Sequence, residues 1–194
     1  MSRILIVQGH PDRHRGHLCH LLAQAYAEGA DGAGHEVELI EPARLRFPLL
    51  SSRAEWEHGT LPPQLAAAQD AIRRAQHLVF VYPLWLGDMP AMLKGFLEQV
   101  ARPGMFVNVD GDRVSPTRVL QGRSARVVVS TGMPGPVYRW LSGAHSLKLM
   151  RRDILGQAGA SPVRSTVVGG ASRMSEEQVA RWRKRLHELG TRAS

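Results

Sequence analysis

Five short apolar runs separated by amphipathic stretches constrain this chain more than any other feature. They are Arg3 to Val7, Glu36 to Ile40, His77 to Tyr82, Ala125 to Thr131 and Val163 to Val168. Several are apolar without alternation, as strands buried on both faces are, and their spacing by helical periods predicts a mostly parallel sheet with helices on both sides. Leu18, Leu21, Leu22 and Ala25 share one helical face, as do Leu65, Ala68, Ile72 and Ala75. A third helix is expected to open near Pro90, with Asp88 as its cap, and to run through Leu93, Phe96, Leu97 and Val100. Leu147, Met150 and Ile154 mark a fourth. Ser175 with Gln178 forms a capping-box pattern before Val179, Trp182, Leu186 and Leu189. The connections Pro42 to Pro63 and Pro103 to Arg123 read as long loops.

The 194 residues suit one sizeable core, so a single domain over 1–194 is expected. No stretch approaches the roughly 18 apolar residues of a membrane span, and membrane insertion is not expected. The first strand-like run starts almost at once, without a leader pattern, which predicts a cytoplasmic protein. Cys19 is the sole cysteine; it precludes an internal disulfide and fits a reducing compartment. The net charge of +8 raises the question of nucleic acid. The arginines, however, are spread along the chain, their clusters are short, and no aromatic-interleaved basic motif accompanies them, so no nucleic-acid role is expected. No metal-ligating set stands out.

In an open doubly wound sheet, ligands bind beyond the carboxyl ends of the strands, where strand order reverses. Order 2-1-3-4-5 puts that reversal between the first and third strands, so the loops after strands one, three and four should converge. The first, Gln8 to His17, leads into a helix whose free amides can receive a phosphate, with Arg13, Arg15 and histidines nearby. No GxGxxG follows the strand and no Walker loop occurs. Taken alone, His10-Pro11 reads rather as a stiff turn, with the arginines facing water. The second loop, Tyr82 to Pro90, sets a proline, Trp85 and a glycine above the sheet, a wall that suits a flat ring such as a flavin's isoalloxazine. Trp85 alone would fit a core position as well. The third loop runs from Ser130 to Tyr138, and its glycines let Thr131, Gly132 and Met133 approach a ligand closely. Tyr138 and His145 have the chemistry to hydrogen-bond a substrate carbonyl or to steady negative charge on a reduced ring, although each alone reads as structural.

On His10-Pro11, on Tyr82-Pro83-Leu84-Trp85 through Met89-Pro90 to Phe96, and on Thr131-Gly132 followed by Tyr138 and His145, the sequence resembles the NAD(P)H:quinone oxidoreductase family of flavodoxin-like proteins. That family includes small bacterial NAD(P)H dehydrogenases and the ancillary proteins of glutathione-gated potassium efflux. The resemblance covers most of the chain and implies a flavodoxin-like α/β fold, with a five-stranded parallel sheet of order 2-1-3-4-5. It implies a flavin, FAD or FMN, reduced by NADH or NADPH, and hydride transfer to a quinone or similar acceptor by a ping-pong mechanism. His10, His17 and Leu18 would border the flavin phosphate, Pro83, Leu84, Trp85 and Leu86 the ring, and Thr131, Gly132 and Met133 its polar edge. Tyr138 and His145 would be the catalytic contributors in the pocket shared by nicotinamide and acceptor. A homodimer is implied, with the loops after strands three and four near the contact. Family members commonly carry Ser and Asn where this chain has Gly16, His17, Leu18 and Cys19, so backbone groups must do more of the phosphate binding. The connection after strand two is shorter than in the larger quinone reductases, and His145 sits one residue further from Tyr138 than in the mammalian-type pattern. A regulatory flavin-binding protein of the potassium-efflux kind and a nitro or azo reductase are the alternatives.

Overall fold

The computed structural model describes residues 1–140 and 143–194. Its central sheet is built from β1 (Arg3–Gln8), β2 (Glu36–Ile40), β3 (His77–Pro83), β6 (Ser124–Thr131) and β7 (Val163–Gly169) in the order β2-β1-β3-β6-β7. All four pairings are parallel. In strand-by-strand terms this is the expected 2-1-3-4-5, with the reversal at β1 and β3. β1 is flanked on both sides, Ile4 lying opposite Val37 of β2 and His77 of β3. That central position explains why its residues after Arg3 are all buried.

Alternate side chains along each strand point to opposite faces, and the two faces feed two cores. Leu5, Val7, Phe80, Tyr82, Val127 and Val129 pack with residues of α3 (Pro63–Arg74) and α4 (Ala91–Val100). Ile4, Ile6, Val79, Val81, Val128 and Val168 pack beneath α1 (Leu18–Gly32) and Leu186 of α7 (Glu176–Thr191). α1 and α7 lie backbone to backbone: a methyl on Gly29 would collide with the His187 carbonyl, and one on Gly190 with the Tyr26 carbonyl. α7 begins with the expected capping box, Ser175 accepting from the Gln178 amide while the Gln178 side chain accepts from the Ser175 amide.

The two long connections are more ordered than loops. The first contains α2 (Arg53–His58), capped by Ser52, which accepts from the Glu55 amide at 3.1 Å. The second contains an antiparallel hairpin, β4 (Val107–Asp110) with β5 (Arg113–Pro116). Asp88 does not cap α4. The N-cap is Pro90, two residues later, and the Asp88 carboxylate instead accepts from the adjacent Met89 amide at 2.6 Å. A short α5 (Gly135–Trp140) lies in the stretch read as loop, and the fourth helix begins as α6 (His145–Lys148) before widening into a π-helix, Leu149–Gly156. Among the described residues no helix is long and apolar enough to cross a membrane.

Candidate functional site

The three strand-end loops meet, and hydrogen bonds join them. The Gly9 amide, just past β1, donates to the Val81 carbonyl of β3 at 2.7 Å. The Leu84 amide, just past β3, donates to the Ser130 carbonyl of β6 at 2.7 Å. Ser130 is tied in turn to the first turn of α1, its Oγ hydrogen-bonded to Cys19 Sγ at 3.1 Å. Gly9 is needed at this crossing, because a methyl there would stand 3.1 Å from Tyr82 Cβ and 2.6 Å from Leu93 Cδ2.

The β1–α1 loop is a scaffold of imidazoles around Asp12. The Asp12 amide donates to His10 Nδ1 at 3.1 Å, which leaves the proton of a neutral His10 on Nε2. The Asp12 carboxylate accepts from the His14 amide at 2.9 Å and from His17 Nε2 at 2.9 Å. The His14 amide, with His17 second, holds that carboxyl below the usual carboxylate range. His10 stacks on His17 with ring centroids 4.1 Å apart, and His20 lies 5.5 Å from His10. Burial, reinforced by His17 and then His20, lowers the pKa of His10; burial is also the main cause of the lowering at His20, partly offset by Glu41. Both therefore prefer to be neutral until negative charge arrives. Among the described residues no group of histidine, cysteine and carboxylate side chains has the arrangement of a metal site.

α1 starts at Leu18, with His17 as an N-cap that supplies no side-chain acceptor and no acidic residue in the first turn. The leading amides of this fifteen-residue helix are thus open to an anion. Two buried polar side chains nearby are also unsatisfied. Among the described residues Gln8, which shares the α1-facing side of β1 with Ile4 and Ile6, has no hydrogen-bond partner for either amide atom, and His20 Nδ1 has none. Buried polar groups are almost always paired, so orphans here mark where a polar ligand belongs. Gly16, closing the loop, has its amide on His14 Nδ1 at 3.3 Å.

Across the crevice, Trp85-Leu86-Gly87-Asp88 forms a tight turn closed by two backbone hydrogen bonds between Trp85 and Asp88. Leu86 and Gly87 both take left-handed conformations, φ +47° and +85°. Pro83 is buried at the end of β3, Leu84 is partly buried against the core, and Leu86 is fully exposed. Trp85, half exposed, meets the His10 ring edge to face at 5.7 Å, so a flat wall stands beside the histidine cluster. Thr131 is buried and its Oγ1 accepts from the Met133 amide at 3.2 Å, while exposed Gly132 leaves room over the strand end.

Tyr138 and His145 are placed differently. Tyr138 is buried, and burial raises its phenol pKa despite the neighbouring Leu147 amide. Tyr82 lies beneath the same segment, its hydroxyl hydrogen-bonded to Ser146 Oγ at 3.2 Å, so two phenols and a serine form a small polar island in the apolar core. His145 is exposed and packs over the Gly143 turn. The structure thus brings His10, His17, Leu18 and Trp85 to one crevice, beside Thr131 and Gly132, and separates Tyr138 from His145 by burial. Gln8, His20, Asp12 and the Cys19–Ser130 pair were not foreseen. His17 and His20 stand three apart, on one face of a helix start, and that spacing was the available signal. Cys19 itself is buried and its thiol is pushed up to about 12, which makes it inert.

Known proteins share this fold. Over 100% of this chain and 99% of the other, it superposes with TM-score 0.84 and 25% identity on an NAD(P)H:quinone oxidoreductase from Methanothermobacter marburgensis. It is 30% identical over 93 residues to an FMN-dependent NADH:quinone oxidoreductase of Ruegeria pomeroyi, covering 44% of this chain and 42% of that protein. Over 122 residues it is 30% identical to the glutathione-regulated potassium-efflux system ancillary protein KefG of Cronobacter sakazakii, covering 61% of each. The matched stretches thus span roughly half the length of these curated relatives. Residues 2–189 match the family model described as flavodoxin-like fold, and the chain belongs to that family.

Proposed function

We propose that this chain is a flavin-dependent oxidoreductase that takes hydride from NAD(P)H and passes it to a quinone or a similar acceptor. One observation carries the reading: the buried Gln8 amide and His20 Nδ1, without hydrogen-bond partners among the described residues, lie at the open start of α1, within a crevice walled by Trp85. The residues fit a flavin mononucleotide. The amides of Leu18 and Cys19 and the imidazoles of His10 and His17 would hold its phosphate, Gln8 its ribityl hydroxyls, Trp85 and Leu84 its ring, and the Thr131–Met133 backbone its polar edge. A bound flavin supplies two-electron redox chemistry that the side chains lack. The protein's share is orientation and charge. Partial positive charge from α1 and neutral imidazoles ready to accept protons favour an anion at one end, and Tyr138, whose phenol keeps its proton, has a hydrogen to donate to an acceptor or to developing negative charge.

FMN is the flavin of this reading, supported by the name of the Ruegeria pomeroyi relative. Donor and acceptor would occupy one pocket in turn, giving ping-pong kinetics. Exposed Leu86, Trp85 and Trp140, on the segments after β3 and β6, supply the apolar surface for a homodimer whose contact adjoins that pocket. We place the protein in the cytoplasm. The likeness to KefG supports a second reading, in which flavin and nicotinamide occupancy regulates a partner protein.

The test is direct. Purified protein should carry a yellow chromophore, release FMN on denaturation, bleach anaerobically with a nicotinamide and recover on addition of a quinone. Failure to bind FMN or FAD would end the oxidoreductase reading. Bleaching without recovery by any quinone, nitro or azo compound would favour the regulatory one.

A further inference from the structure

A cavity of about 280 Å³ adjoins the segment that carries Tyr138 and His145, and its walls are cationic. Arg139 at the end of α5, Lys148 of α6, and Arg151 and Arg152 of the π-helix all line it, with Ser165 of β7 opposite. Among the described residues none of the four cations enters an ion pair. Among the described residues no carboxylate lines the cavity; Asp153, next along the chain, lines a separate groove with Lys94 and Glu98 of α4. Arg151 is held in place by its Nε, which donates to the Val163 carbonyl at 3.1 Å and leaves the rest of the guanidinium for another partner. The π-helix itself is a form that recurs at functional sites, and here it delivers two consecutive arginines to one hollow. The four cations are solvent-exposed, and together they set up a positive potential around one hollow that attracts an anion.

We propose that this cavity binds the 2'-phosphate on the adenosine of NADPH, making NADPH the preferred hydride donor. The proposal rests on the oxidoreductase reading for its biological sense. Arg139 directly follows Tyr138, and Lys148 lies one turn beyond His145, so the cavity is built on the same short elements as the two residues proposed for the acceptor pocket. A phosphate monoester takes charge-assisted, fork-like hydrogen bonds from arginine, and the Ser165 hydroxyl adds a neutral donor. NADH presents only a ribose hydroxyl at this position, which water satisfies equally well, so discrimination comes from charge.

Isothermal titration with adenosine 2',5'-bisphosphate and with 5'-ADP reads the cavity without flavin or turnover. The unaltered protein should bind the 2',5'-bisphosphate about tenfold or more tightly than 5'-ADP. Arg151→Ala and Arg152→Ala should erase that preference, Arg152→Lys should keep part of it, and thermal melting verifies that each variant is folded. In steady state, the NADPH-to-NADH ratio of kcat/KM should fall by a similar factor in the alanine variants. Equal affinity for the two nucleotides, indifference to both substitutions, or displacement of the bisphosphate by inorganic phosphate at equal concentration would overturn the proposal. The two failures are distinguishable. If the protein binds flavin but neither nicotinamide is preferred, the cavity assignment falls and the oxidoreductase reading stands. If no flavin binds, that reading falls while calorimetry still decides the cavity.

Discussion

A buried amide with neither atom hydrogen-bonded costs a free protein about 1–3 kcal/mol, and Gln8 holds such an amide at the end of a central strand. Replacing it with a same-sized apolar residue, Gln8→Met, should raise the melting temperature of the flavin-free protein and weaken FMN binding. Calorimetric melting with and without FMN reads both effects; a variant that is less stable and binds FMN unchanged would mean that Gln8 serves the core alone. Tyr138→Phe tests the buried phenol in the same spirit. It and His145→Ala should slow quinone turnover, by about tenfold or more if either donates in the reacting state, while leaving flavin content unchanged. Parent-like turnover in both would remove them from the catalytic assignment. The candidate residues fall unevenly on what the chain alone revealed. His10, Trp85 and Thr131 were legible because proline, glycine and aromatic residues cluster visibly after apolar runs. Gln8 and His20 were not, since nothing in a glutamine or histidine codon position says that the folded chain will leave it without a partner.

The strands were legible for a physical reason: β3 is buried at every position from His77 to Pro83, so after His77 its sequence is a run of apolar and aromatic residues without alternation. The β4–β5 hairpin escaped because its second strand is exposed at every residue and carries no apolar period, although Asp110-Gly111 was a turn signal in plain view. α2 buries no residue at all, and short α5 sits among prolines that read as loop. Two further tests belong to this scale. In the Trp85–Asp88 turn, a fully exposed leucine holds φ +47°, a conformation costing about 1–2 kcal/mol. Leu86→Gly should therefore stabilise the flavin-free protein by about 0.5–1 kcal/mol, and if Leu86 is part of the dimer contact or the ring wall, it should lower dimer affinity or FMN retention. Sedimentation and FMN titration decide that; gain of stability with both unchanged would leave the strain unexplained by function. Where α1 crosses α7, the obstacle to a side chain at Gly29 is main chain, which cannot swing aside. Gly29→Ala should destabilise by about 1–3 kcal/mol or more, whereas the solvent-facing Gly32→Ala, with open space around it, should be neutral or stabilising.

For the molecule as a whole, the lower end of the sheet sets how stability responds to acid. His77 is buried where β3 begins, its Nδ1 2.7 Å from Ser124 Oγ and its ring stacked on Tyr26, and burial, with Arg126 and Arg164 next, lowers its pKa to about 4. His10 and His20 at the opposite end are also lowered, mainly by burial. In each case the unfolded chain takes up a proton near pH 6.5 while the folded chain resists, so the folded state binds fewer protons and stability falls as pH falls. The contribution of His77 is complete above about pH 6.5 and is lost progressively down to about pH 4, amounting to about 3 kcal/mol at most. Urea unfolding of the flavin-free protein should therefore show a midpoint that is level from pH 8 to 7 and declines steadily from 6.5 to 4. His77→Asn has no proton to take up in either state. It should start from a lower midpoint, having lost the ring contact with Tyr26, and decline less over the same interval, with His10 and His20 accounting for what slope is left. A parallel decline in the two proteins would show that the His77 ring is accessible to protons in the folded state, and the buried lower end of the sheet would then not be the source of the acid sensitivity.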